Sequence, residues 1–418
     1  MVLCAIVGGW QMSSQTAQAA SNKADKVKAA YIIDAKSGQA VYAQNADEKL
    51  PIASLSKLMT LYLVEQALKK GQIKWDDQVP IQKEVRKMAT SATLSVMPMP
   101  AKEHFTVKEL FEATLVGSSN SGAIALGEYV AGSNAKFITM MNAQAKRWHI
   151  AANFVSASGL DNTDLTTYHL NLKGTDEQAQ NMVSARAITT IARHLINEFP
   201  DVITTADQSK VKIHKYTVPT SVQIIKGQKF YDPRVPADGL KTGYTNQAGA
   251  CLVATFKQNG RRMIATTLGA AWKFTANNNL RLMLKDSERY QNVAPKTIKY
   301  QIPGTKTTVR LVAKGNNRRW ENTKHPYTVR REATWPLHRT QPNYLGAKTT
   351  VLKLHLTDPQ SGETHTVAYQ TPAAKTLLGP LQWATSAQPT NQLRLNTAFA
   401  IAEWESLWQP AFWHTFRP

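Results

Sequence analysis

A chain of 418 residues exceeds one ordinary domain and leaves room for two with tails. With 43% hydrophobic residues it can build a sizeable core, which excludes wholesale disorder. A formal net charge of +21 calls for an anionic partner, and nucleic acid, an anionic membrane and an acidic wall polymer are the classes it admits.

Residues Val2 to Trp10 form a short apolar run, followed by Ala17-Gln18-Ala19 with the small–x–small spacing of a signal-peptidase site. We read residues 1–20 as the later part of a secretory signal cleaved near Ala19 or Ala20. The run is too short to span a membrane. Met1 reads as a misplaced or internal start, because the basic stretch that usually opens a signal is missing. Cys4 falls in this signal and leaves Cys251 alone, so no disulfide is expected. There is no Cys/His cluster with zinc spacing and no His-Glu-x-x-His, so neither a metal nor a cofactor is expected.

Tyr31 to Asp34 and Gln39 to Tyr42 are β-prone runs joined by Ser37-Gly38, a hairpin pattern. Ser54 to Lys70 is helix-prone. Thr106 and Glu109 have capping-box spacing and open a helix to about Val116. Ser121 to Val130 and Asn134 to Trp148 read as helices separated by Gly132-Ser133, and Ala185 to Asn197 as another, stopped before Pro200. Cys251 to Phe256 and Arg262 to Leu268 are strands around an Asn259-Gly260 turn. Ala276 to Arg289 is again helical. Strands first and last with helices between predict an α/β (α+β) domain over 21–293, an antiparallel sheet flanked by helices with a helical subdomain. Residues 294–385, with β-prone runs at Thr308 to Val312, Thr349 to Leu356 and Thr364 to Tyr369, predict a small, basic, all-β domain. In the tail, 386–418, Asn391 to Gln409 is helix-compatible. Ile401, Trp404, Leu407 and Trp408 share one face flanked by Glu403 and Glu405, a pattern suited to a membrane surface or, as the second reading, to docking on the protein's own core.

Three short motifs follow one another. Ser54-Leu55-Ser56-Lys57 stands at a helix start, where residues three apart share a face. A serine hydroxyl needs a neighbouring base, and a lysine serves only if burial or a second cation depresses its pKa. Ser118-Ser119-Asn120 lies in a break between helices, with a hydroxyl to carry a proton and a carboxamide to hold a substrate amide. Lys241-Thr242-Gly243 lies on or beside a strand edge. The glycine permits close backbone approach, and the lysine and threonine suit a carboxylate. Each motif alone is commonplace: Ser133-Asn134-Ala135-Lys136 repeats the first spacing as a plain helix cap. The ordered trio is a known pattern of penicillin-binding proteins and class A β-lactamases.

On these residues the sequence resembles the low-molecular-mass penicillin-binding proteins, the serine D-alanyl-D-alanine carboxypeptidases. Further matching blocks are Tyr31-Ile32-Ile33-Asp34 with Ser37-Gly38, and Pro51-Ile52-Ala53-Ser54. Ala125-Leu126-Gly127-Glu128, Phe137, Met141-Asn142, Ser158-Gly159-Leu160 and Ser184-Ala185-Arg186 also match. The resemblance implies a β-lactamase/transpeptidase-like fold and removal of the terminal D-Ala from peptidoglycan stem peptides. It casts Ser54 as nucleophile, Lys57 as base and Ser118 as proton carrier to the leaving group. Asn120, Lys241, Thr242 and Gly243 would bind substrate, and the backbone N–H groups of Ser54 and Tyr244 would form the oxyanion hole. β-Lactam antibiotics are the implied inhibitors. Tyr244 replaces a histidine found in some members, and Asn162 to Met182 is longer than usual.

A class A β-lactamase is the nearest rival, but it carries Ser-Asp-Asn where Ser119 stands here, and Glu177 with Asn181 gives only a superficial match to its deacylating loop. A non-catalytic wall- or membrane-binding protein would suit the charge but has no use for the trio. No nucleic-acid motif is present, so the charge points to wall polymers or an anionic membrane outside the cell.

Overall fold

The computed structural model describes residues 26–302, 307–334 and 344–376. The signal read at 1–20 and the tail helix read at Asn391 to Gln409 lie outside the described residues. Among those described, no helix is long and apolar enough to cross a membrane.

The first of two compact units holds the described residues up to Lys296 together with Gly315–Glu332 and Lys353–Val367. Its centre is a five-stranded antiparallel sheet of β1 (Ala29–Asp34), β2 (Ala40–Gln44), β3 (Ala237–Thr245), β4 (Gly249–Gln258) and β5 (Arg261–Ala270), in the order β2-β1-β5-β4-β3. The β1–β2 hairpin turns at Gly38, whose φ of +77° suits glycine, and Asp34 Oδ1 accepts the Ser37 N–H at 2.9 Å. Between β4 and β5, Asn259 and Gly260 both have positive φ, as a two-residue hairpin turn requires.

Helices cover both faces. Beneath the sheet lie α1 (Lys57–Lys69), α2 (Val107–Leu115), α3 (Asn120–Ala131), α4 (Asn134–Arg147) and α5 (Ala185–Glu198); α6 (Lys273–Ser287) packs on the other side. The predicted capping box is present: the Glu109 N–H donates to Thr106 Oγ1 at 3.2 Å and the Thr106 N–H to Glu109 Oε2 at 2.8 Å. α5 meets β5 through the Thr189 and Thr266 hydroxyls, 2.6 Å apart inside the core.

Two differences from the expected elements bear on function. The helix expected from Ser54 starts as a 3₁₀ turn over Ala53–Ser56 and becomes α-helical only at Lys57, because Ala53 enters with φ +48° and the chain must tighten. A hairpin of Lys210–Ile213 and Tyr216–Pro219 alternates in burial but over only four residues a strand, too short a run to read as strand from the sequence. Beyond α6, β6 (Glu288–Asn292) pairs with β7 (Arg318–Asn322), which brings the fully buried Trp320 against Ile32, Val41, Phe256 and Met263. The units therefore do not follow one cut in the chain.

The second unit is built of strands. Thr297–Gln301 pairs antiparallel with Thr308–Ala313, whose last two residues pair with Gln370 and Tyr369. Val309, Leu311, Val351 and Tyr369 are buried.

Candidate active site

The left-handed Ala53 and the 3₁₀ turn aim Ser54 and Lys57 to the same side. The Ser56 hydroxyl donates to Ala53 O at 2.7 Å and ties the turn to its own start. Lys57 Nζ, fully buried, then lies 2.7 Å from Ser54 Oγ, 2.7 Å from Asn120 Oδ1 and 2.7 Å from Ser158 O. Two of these three neighbours are acceptors only. A neutral lysine amine has two N–H donors and one lone pair. With the N–H groups given to Asn120 Oδ1 and Ser158 O, the lone pair faces the Ser54 hydroxyl. Burial, and then the charge of Lys241, hold the Lys57 pKa well below its ordinary value and favour that neutral form.

The second motif arrives at the end of α2. Ser118 takes φ +61° and is nearly buried. Ser119 Oγ accepts the Gly122 N–H at 3.0 Å and caps α3, so its hydroxyl is occupied structurally. Asn120 is the first residue of α3, where its N–H donates to Ser95 O at 2.8 Å. Gly117 allows the hairpin to press on this segment: a Cβ there would stand 2.2 Å from Val218 Cγ1.

The third motif runs along β3, the last strand of the sheet, anchored by the Arg262 guanidinium and the Thr255 hydroxyl on Asp238 at 2.8 and 2.6 Å. Lys241 is fully buried, and burial followed by the charge of Lys273 brings it down to about 7. Its Nζ donates to Thr242 O at 3.2 Å. At Gly243 the strand meets the nucleophile turn: a Cβ would stand 2.7 Å from Ile52 O and 3.3 Å from the backbone nitrogens of Ser54 and Leu55. Only glycine lets β3 approach this closely. Tyr244, paired with Ala250, is exposed.

The second motif therefore reaches the Lys57 amine through Asn120, and the third reaches the Ile52–Leu55 turn through Gly243. The sequence did not single out the Ser158 carbonyl, because a backbone oxygen has no signature; the Ser158-Gly159-Leu160 block was its only sign. Gly159 is required there, since at φ +81° a Cβ would fall 2.0 Å from Ala53 O. Lys273 was also missed, being an ordinary lysine near a helix start. Glu177 is exposed, whereas Asn181 is buried. No group of His, Cys, Asp or Glu among the described residues is placed to hold a metal. A surface cavity lined by Glu65, Trp75, Glu198 and Phe199 lies by the other end of α1 and includes none of these residues.

Comparison with known proteins gives a consistent result. Residues 14–271 match the family model described as D-alanyl-D-alanine carboxypeptidase. The chain is 32% identical over 286 residues to D-alanyl-D-alanine carboxypeptidase DacC of Escherichia coli, covering 68% of this chain and 66% of that one. It is 30% identical over 276 residues to DacF of Bacillus subtilis, covering 65% and 64%. These matches span just under two thirds of each relative's length. Among solved structures, a peptidoglycan synthesis regulatory factor (PBP3) from Streptococcus pneumoniae aligns with a TM-score of 0.64 and 29% identity over 83% of this chain and 98% of that one. Penicillin-binding protein D2 of Listeria monocytogenes, in its cefotaxime-bound form, aligns with a TM-score of 0.51 and 28% identity over 62% and 97%.

Proposed function

The chain belongs to the D-alanyl-D-alanine carboxypeptidase family, and from that membership we propose that it removes the terminal D-Ala from peptidoglycan stem peptides through an acyl-enzyme on Ser54. Ser54 Oγ bonds to the carbonyl carbon of the penultimate D-Ala as its proton passes to Lys57 Nζ. The oxyanion lies between the N–H groups of Ser54 and Tyr244. Ser118 hands its proton to the amine of the terminal D-Ala and takes up the one held by Lys57, the C–N bond breaks and free D-Ala leaves. Water then cleaves the ester and restores the serine. Asn120 holds the peptide, and Lys241 and Thr242 take the terminal carboxylate. A β-lactam amide enters the same path and stops at the acyl-enzyme.

The observation that carries this reading is the buried Lys57 amine, 2.7 Å from each of Ser54 Oγ, Asn120 Oδ1 and Ser158 O. The test is intact mass against time with excess benzylpenicillin, alongside D-Ala release from a peptide ending in D-Ala-D-Ala. A lasting one-to-one adduct absent in Ser54→Ala, with D-Ala release, is expected. Rapid consumption of penicillin without an adduct favours β-lactamase turnover. The exposed Glu177 gives that alternative little support.

For export and location, the signal-like start and the amphipathic tail support a protein at the outer face of the cell membrane. The +21 charge supports attraction to anionic lipids or wall polymers. Binding to anionic vesicles should weaken with salt. Deleting residues 391–418 should release the protein from membranes without loss of acylation.

A further inference from the structure

We propose that Asn181 is a positioning residue for the Ser54–Lys57 pair, fixing the turn at Val155–Gly159 so that the Ser158 carbonyl meets the Lys57 amine. The proposal rests on the reading of Lys57 as the base.

Asn181 ends the long stretch before Ser184 and is 1% exposed. Its Oδ1 accepts the N–H groups of Val155 at 2.7 Å and Ser156 at 3.0 Å, and its Nδ2 donates to Ser156 O at 2.8 Å. That pattern needs an acceptor and a donor on one short planar group, which among side chains of this length a carboxamide supplies. The turn so held continues inward. Ser156 Oγ accepts the N–H groups of Ser158 at 3.2 Å and Gly159 at 3.1 Å, and lies 3.0 Å from Ser158 Oγ. Thr60, one turn along α1 from Lys57, donates its hydroxyl to Ala157 O at 2.7 Å. Ser158 O is left to accept from Lys57 Nζ. The backbone of Asn181 reaches the other partner: its carbonyl accepts the Ile52 N–H at 3.4 Å, two residues before Ser54. One residue thus holds both the approach to the nucleophile and the turn that engages the base.

A carbonyl oxygen favours the protonated amine over the neutral one. The other groups facing Lys57 are Ser54 Oγ, Asn120 Oδ1 and the cation of Lys241 on β3. Loosening the Ser158 carbonyl therefore lowers the proton affinity of Lys57 and moves the acid limb of acylation to lower pH. It also leaves the lone pair less well aimed, so the limiting rate falls.

The test is the rate of benzylpenicillin acylation against pH for the full chain and for Asn181→Leu. The limiting rate should fall about tenfold or more and the acid-limb midpoint should drop by about one pH unit, with the noncovalent binding step within about twofold of wild type. Ser156→Ala should move both quantities the same way by less, and it decides the matter if Asn181→Leu does not fold. A folded variant with wild-type rate and midpoint overturns the proposal; so does a lower rate at an unmoved midpoint, which is what a structural staple alone would give. If wild type forms no adduct, the carboxypeptidase reading fails. The ionisation of Lys57, read by ¹⁵N NMR in wild type and variant, then decides the positioning role by the same shift.

Discussion

Replacing Gly243 by alanine tests the junction between β3 and the nucleophile turn. The new methyl would stand 2.7 Å from Ile52 O, where ordinary contact begins near 3.4 Å, and 3.3 Å from Ser54 N. The strand or the turn must withdraw by about 0.7 Å, and neither is a flexible side chain. Misplacement by about 1 Å costs on the order of 100-fold in rate, so acylation should fall ten- to hundredfold. Overpacking of this kind costs about 1–3 kcal/mol of stability. The assays are the second-order rate of adduct formation with benzylpenicillin, by intact mass, and urea unfolding. Gly260→Ala is the control: φ is +71° but nothing lies within 4 Å of its Cβ, so stability drops by about 1 kcal/mol and acylation holds. A folded Gly243→Ala protein acylated within about threefold of wild type would refute the argument that this contact sets the site.

Lys241→Gln removes a cation that disfavours protonated Lys57, so the Lys57 pKa rises and the acid limb of acylation should move up by about one pH unit; the pH–rate profile checks this. Lys57→Arg leaves a cation that cannot act as a base, and adduct formation should fall at least about 10²-fold. Burial pushes the Asp34 carboxyl up, but bonds from Arg261, the Ser37 N–H and Trp320 Nε1 bring it below its ordinary range. Its stabilisation is therefore present above pH 4 or so and is lost as pH falls through the folded-state pKa. Asp34→Asn should remove that limb and cost about 3–5 kcal/mol in urea unfolding at pH 7. Glu288 behaves oppositely: burial, then the charge of Asp358, push it from 4.5 up to about 8. The folded protein keeps a proton that the unfolded chain releases, so stability falls as pH rises through that interval. Glu288→Gln should flatten the dependence and stabilise by about 1–3 kcal/mol at pH 8.

Residues whose chemistry depends on their own side chain were legible in the sequence. Ser54, Lys57, Asn120 and Lys241 could be picked out because the chemistry proposed for them needs those residue types, and their order along the chain limited the choices. Thr106 with Glu109, Asn259 with Gly260 and Ser37 with Gly38 were legible because caps and turns are local. What stayed hidden depends on atoms that every residue has. The Ser158 carbonyl reaches Lys57 across about a hundred residues of chain, and nothing in its letter marks it. The 3₁₀ entry of the nucleophile turn follows from the tertiary contacts of Ala53, which a helical period cannot carry. Asn181 was visible only as half of a β-lactamase-like pair. Its partner Glu177 is exposed, and its own amide is committed to a turn 25 residues earlier in the chain.

Trp320 lies far along the sequence from the strands it covers. Its indole fills a space among Ile32, Val41, Phe256, Met263, Ala265 and Leu284, and its N–H donates to Asp34 at 2.8 Å. A chain translated only as far as α6 has every catalytic motif but leaves that apolar pocket open to water and the buried Asp34 without one of its donors. Completion of the core waits on residues made after the chemistry is encoded, and contacts of such long sequence separation form slowly. The first unit therefore cannot close its core until residues well past its last motif have been made.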